Sequence, residues 1–233
     1  MTVHRSPSLR LRARGPLACF TRPELKVERV SYPVMTPSAA RGLLEAVLWK
    51  PAIAWHVERI SILREIKFTA FRRNEVNTKA STPRLTTIKN GGPPPPLYFA
   101  DDANNRAQRN TVALSDVDYV IEAHFTFTGS AGADDNMNKF VEMFNRRVAK
   151  GQHFHQPYFG CREFVAEVFA ADEAPPAITE SLDLGLMLWD IRFSVARNTP
   201  IFFPARLNKG VLEVPADPEA ALAAVGPSEG GGA

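Results

Sequence analysis

Apolar and basic residues alternate strictly through Leu9-Arg10-Leu11-Arg12-Ala13-Arg14, which predicts a strand over about residues 8–14 with one buried face and one face of arginines. Val117, Tyr119, Ile121, Ala123, Phe125 and Phe127 repeat the period of two. Thr36-Pro37 is a helix start, because Thr caps and Pro is tolerated at the first helical position; Ala40, Leu43, Leu44, Val47 and Leu48 follow as one apolar stripe until Lys50-Pro51. Residues 53–72 read as two strands. A second helix is capped by Asp134 or Asp135, carries Met137, Phe140, Val141, Phe144 and Val148 on its apolar face, gathers Arg146, Arg147 and Lys150 in its last turn, and stops at Gly151. A strand near 162–169 follows.

Strand, helix, two strands, strand, helix, strand is an α+β, ferredoxin-like order, also used by RNA-recognition (RRM-like) folds. It assigns residues 1–170 to a ferredoxin-like RNA-binding domain. Residues 74–107 lose all periodicity around Gly91-Gly92 and Pro93 to Pro96 and read as one long loop. Strands near 184–195 and 201–214 predict a small C-terminal antiparallel β-sheet domain over 171–214. The Ala-, Gly- and Pro-rich residues 215–233 read as a flexible tail.

Charge sharpens this picture. The first hundred residues hold 17 Lys or Arg against 6 Asp or Glu, while the remainder holds 11 against 19, so one half suits a polyanion and the other does not. Arg10, Arg12 and Arg14 would present planar forks to phosphate oxygens, or form a merely solvated sheet face. No apolar run reaches membrane-spanning length, and Met1 to Pro16 lacks the apolar core of a signal peptide, so a cytoplasmic protein without membrane contact is expected. Cys19 and Cys161 form no redox or zinc motif, and no phosphate-binding GK[ST] loop is present.

The blocks ACFTRPELKVERVSYPVMTPSAARGLLEAVLWKPAI, RRNEV and FNRRVAKGQ…GCREF resemble the CRISPR-associated Cas-five family in its subtype I-C form, over roughly residues 8–195. The resemblance implies an RNA-recognition fold with an extra C-terminal sheet. It also implies cleavage of the precursor CRISPR transcript within each repeat, and retention of the 5′ handle inside the Cascade surveillance complex. Precursor and mature crRNA and the other type I-C Cascade subunits, backbone and large, would be the partners. The implied chemistry needs no metal or other cofactor: the ribose 2′-hydroxyl attacks the adjacent phosphate, leaving a 2′,3′-cyclic phosphate and a 5′-hydroxyl.

The same resemblance implies a Tyr or His late in the first helix and a Lys-His pair early in the second. Leu48 stands at the first of these positions, Lys139 at the Lys and Phe140 at the His. Neither Leu nor Phe transfers a proton, so three readings stay open: other groups act, Lys139 acts with RNA geometry alone, or the protein only binds a processed handle. Lys139 is the candidate for charge stabilisation. His153 and His155, just before the GCREF block, are candidate bases near neutral pH or else RNA contacts or turn caps. RNA-binding candidates are Arg10, Arg12, Arg14, Lys26, Arg29, Arg146, Arg147 and Arg162, with Phe20 either stacking on a base or plugging the core.

Overall fold

The alternation at the N-terminus becomes β1 (Leu9–Ala18), in which Leu9, Leu11 and Ala13 are buried and Arg10 and Arg14 exposed. The computed structural model describes residues 5–25, 27–78, 82–92, 99–194 and 197–225. After β1 come β2 (Arg29–Val30), α1 (Pro37–Val47), β3 (Ile53–Ile62), β4 (Phe68–Val76), α2 (Thr82–Lys89), β5 (Arg106–Phe127), α3 (Met137–Ala149), β6 (Glu167–Phe169), β7 (Leu182–Arg192), β8 (Thr199–Asn208), β9 (Val211–Glu213) and α4 (Pro218–Val225). The architecture is α+β, with one mostly antiparallel sheet in the order β6-β1-β5-β3-β9-β8-β7, and β2 and β4 paired on β5. No described helix is long and apolar enough to cross a membrane.

Register fixes which face is buried. Leu9, Leu11 and Ala13 lie opposite Ala123, Ile121 and Tyr119, so these residues and Phe125 share one side of the sheet. α3 covers that side: the Phe140 ring meets Phe125 and Phe127 edge-on, and Phe144 packs 5.0 Å from Trp55. α1 adds Leu43, Leu44 and Val47 to the same core. Arg10, Arg12 and Arg14 therefore point from the opposite side, as the alternation predicts.

Both helix starts use side-chain caps. Thr36 accepts from the Ala39 N–H with Pro37 in the first turn, as expected. At α3 the cap is Asn136, not Asp134 or Asp135, and its Oδ1 accepts from the Lys139 N–H at 2.9 Å. Asp135 is turned instead to the Gly132 N–H and the Lys139 ammonium. α3 ends at Gly151 (φ 62°), where Gly151 and Gln152 N–H groups bond the Val148 and Arg147 carbonyls, a closure that needs the left-handed glycine.

Several expectations change. β1 runs four residues past its predicted end, because the ladder steps over Pro16, which lacks an N–H, opposite a left-handed Asp116. The predicted loop 74–107 shrinks, since β4 and the first part of β5 pair from Phe68–Leu114 out to Val76–Arg106 and α2 lies beyond them. That hairpin alternates exposed with only half-shielded residues and so shows no apolar face to sequence. The predicted strand at 162–169 is a turn closed by Phe164 N–H to Cys161 C=O, followed by the short β6. β9 pairs with β3 across Arg59 to Ser61, so the C-terminal strands extend the first sheet and do not form a separate one. Part of the expected tail is α4, capped by Asp217, whose Oδ1 accepts from Ala220 N–H. The remainder of that tail, 226–233, lies outside the described residues.

Candidate nucleic-acid interface

Three consecutive carbonyls end α1 without helical partners, and each finds a tertiary donor. The Ala46 carbonyl accepts from the Phe154 N–H at 2.7 Å, Val47 from Arg147 Nη1 at 2.7 Å, and Leu48 from Trp55 Nε1 at 2.9 Å. The loop after α3 is thereby pinned to the end of α1. Lys50, two residues beyond Leu48, helps hold the Asp135 carboxyl below its ordinary range, behind the larger effects of the Gly132 N–H and Lys139. Arg147 and the Phe154 backbone thus dock on the end of α1, with His153 and His155 flanking Phe154 in the chain, while Lys139 and Lys50 share the field of Asp135.

Leu48 and Phe140 are 0% and 2% exposed, packing residues in agreement with their apolar stripes. Lys139 is half-exposed, 2.9 Å from Asp135 Oδ1 and 5.5 Å from the Phe140 ring centre. His153 and His155 are exposed, with His155 6.1 Å from the Phe154 ring and 6.5 Å from Tyr158. Among the described residues no hydrogen bond, ion pair or ring contact joins either histidine to Lys139, and Phe154 between the histidines is tied by its backbone to Ala46. Arg146 is exposed on the last turn of α3, and Arg162 is exposed at the tip of the turn after Gly160. Gly160 (φ 76°) is required there, because a Cβ would fall 2.1 Å from the Cys19 carbonyl oxygen.

The remaining basic candidates are committed to acids. Arg12 grips the buried Asp118 with two bonds of 3.0 and 2.7 Å, Arg10 lies 3.5 Å from Glu122, and Arg14 lies 3.1 Å from Glu167 under the Phe169 ring. Arg29 bonds Glu163 at 2.8 Å and faces Glu75, which Arg73 and Arg109 also approach. Phe20 is a core residue, not a stacking platform: it is buried edge-on between Tyr119 and Phe159. Lys26 lies outside the described residues.

Sequence reasoning gave no role to two features. On the arginine side, the His56 and His124 rings stack at 5.1 Å, with Thr126 and Glu58 as their partners, beside a cavity of about 470 Å³ that Arg41 and Trp189 also line. At the end of α1, Trp49 and Phe154 stand exposed. Trp49 follows the helical stripe directly and Phe154 sits between two histidines, signals that were present in the chain. Among the described residues no three His, Cys, Asp or Glu side chains gather to hold a metal.

Residues 8–215 match the family of CRISPR-associated proteins called Cas_Cas5, in its Cas5d form. The chain belongs to the Cas5d family. A "CRISPR pre-crRNA endoribonuclease Cas5d" of Mannheimia succiniciproducens is 47% identical over 214 residues, covering 89% of this chain and 94% of the relative. A protein of the same description from Thermus thermophilus is 41% identical over 227 residues, covering 90% and 92%. A crystal structure of a CRISPR-associated protein superposes with a TM-score of 0.67 at 20% identity, over 94% of this chain and 97% of that one. A functionally uncharacterized Streptococcus mutans protein gives 0.64 at 19%, over 92% and 95%. Both share the Cas5d fold.

Proposed function

We propose that this chain cleaves precursor CRISPR RNA within the repeat and then holds the 5′ handle of the product in a type I-C Cascade complex. The observation that carries this is identity of 41–47%, over about nine-tenths of the chain, to proteins described as pre-crRNA endoribonucleases. The strand order β6-β1-β5-β3, crossed by α1 and α3, supports the division into a ferredoxin-like domain over residues 1–170 and a C-terminal β unit over 171–214.

In this reading the 2′-oxygen bonds to phosphorus, the bond to the 5′-oxygen breaks, and the products are a 2′,3′-cyclic phosphate and a 5′-hydroxyl. Lys139 would face the negative charge that develops on the phosphorane oxygens. His153 or His155 would take the 2′-OH proton, and solvent water would protonate the leaving 5′-oxygen. Arg146, Arg147 and Arg162 line the phosphate path, since none of them bonds an acid among the described residues. Arg10, Arg12, Arg14 and Arg29 reach phosphate only by exchanging an acid partner for it.

A second reading, a non-catalytic subunit that caps the 5′ handle, is favoured by the burial of Leu48 and Phe140 where proton-transfer groups would stand. One experiment separates them: purified protein with labelled repeat RNA in EDTA, beside RNA carrying a 2′-deoxy sugar at the cut. Cleavage in EDTA that fails on the deoxy substrate supports the nuclease. Tight binding of both RNAs without cleavage, with or without magnesium, supports the handle-binding subunit.

A further inference from the structure

We infer that Trp49 and Phe154 form a two-ring platform on which unpaired bases of the RNA stack beside the reactive site. The inference rests on the RNA-handling reading above and names a part of that site. A lone exposed aromatic needs no explanation, but these two differ from a scattered pair. Trp49 is 54% and Phe154 73% exposed, yet the backbone around both is fixed. The Phe154 N–H bonds the Ala46 carbonyl, and the Trp55 indole bonds the carbonyl of Leu48, the residue that precedes Trp49. Trp49 follows the C-cap Leu48 directly, and the Phe154 backbone, on the loop after α3, is tied to Ala46 in the last turn of the same helix, so both residues are anchored at one helix end.

Neither ring belongs to the hydrophobic core or to the partly buried residues packed on it. Among the described residues Trp49 forms no ring contact, and the ring contact of Phe154 is with His155 at 6.1 Å. Their surroundings are cationic and hydrogen-bonding: Lys50 beside Trp49, His153 and His155 on either side of Phe154, and Arg146 and Arg147 at the α3 end to which the loop is tied. Rings fixed in solvent among cations suit single-stranded nucleic acid, whose bases offer flat apolar faces and whose backbone offers charge. Exposed Phe68 and Phe193 also adjoin cations, Lys67 and Arg192, but those are paired to Glu65 and Glu219. The burial of Phe20 leaves the stacking role open for these two residues.

The test is binding and cleavage of labelled repeat RNA by Trp49→Ala and Phe154→Ala, with Trp49→Phe and Phe154→Tyr as conservative variants. Each alanine variant should bind roughly fivefold to a hundredfold more weakly, the range that base–aromatic stacking spans. The loss should fall on KM, with kcat at saturating RNA retained, and the conservative variants should restore binding. Against RNAs made abasic one position at a time, each alanine penalty should vanish at the position its ring contacts. RNA should quench the tryptophan fluorescence of the native protein, and Trp49→Phe should remove most of that quenching. Alanine variants that bind like the native protein, or penalties that persist on every abasic RNA, overturn the platform while leaving the RNA reading intact. A native protein that binds no repeat RNA overturns both.

Discussion

Lys139 owes its position to its neighbours in the chain. Its N–H closes the Asn136 cap, and its ammonium meets Asp135 four residues back and lies 5.5 Å over the Phe140 ring. The cap fixes the backbone while the ammonium stays half-exposed, free to exchange one carboxylate for a phosphate. Lys139→Ala should therefore slow cleavage on the order of a hundredfold, as removal of one transition-state donor does, with handle binding nearly unchanged in a filter assay. Equal loss of both would make Lys139 a binding residue. Cys161 offers a second, independent check on local electrostatics. Hydrogen bonding to Cys19 and the Arg29 guanidinium 3.7 Å away hold its thiol down to about 7, against burial and Glu163. Iodoacetamide should label Cys161 with a midpoint near that value and spare the buried Cys19, whose thiol is pushed up, and Arg29→Ala should move the midpoint upward.

At the scale of elements, the end of α1 is the junction of the site. A charged donor to a buried carbonyl contributes more than a neutral one, so Arg147→Ala should lower stability by about 2 kcal/mol in urea unfolding. Arg146→Ala, one residue away and solvated, should leave the midpoint unchanged. This junction was only half legible in the sequence. α1, α3 and the paired parts of β1 and β5 were visible because each has one buried face, and burial imposes a period. The Thr36 cap and the Gly151 stop were visible because their chemistry is local. The β4–β5 hairpin, the pairing of β9 with β3 and the docking of Phe154 on Ala46 were not, because they are backbone hydrogen bonds between distant segments that leave no side-chain pattern. Lys139 was proposed from its place in the family resemblance and the two histidines from their residue type. Only the fold shows that the segment carrying the histidines docks on the end of α1.

For the whole molecule, the charge asymmetry along the chain does not survive as a field in space. Acids from the negative half fold back onto the positive half: Glu122 and Asp118 onto Arg10 and Arg12, Glu167 onto Arg14, Glu163 onto Arg29, Glu213 onto Arg59. The arginines on that side of the sheet are thereby paired, whereas Arg146, at the end of α3, and Arg162, on the turn that packs against Cys19, have no acid partners among the described residues. Counting charges along the sequence could not distinguish the two sets, because pairing is set by register. Salt dependence of RNA binding can. Each phosphate contact on a single strand contributes about 0.7 to the slope of log K against log salt. Arg146→Ala and Arg162→Ala should each lower that slope by about this amount and leave the unfolding midpoint in place. Arg12→Ala should leave the slope alone and cost about 3 kcal/mol of stability, because Asp118 would remain buried without its partner. The opposite result, a reduced slope for Arg12→Ala and none for Arg146→Ala, would put the RNA across the arginine side of the sheet, with phosphate displacing the carboxylates.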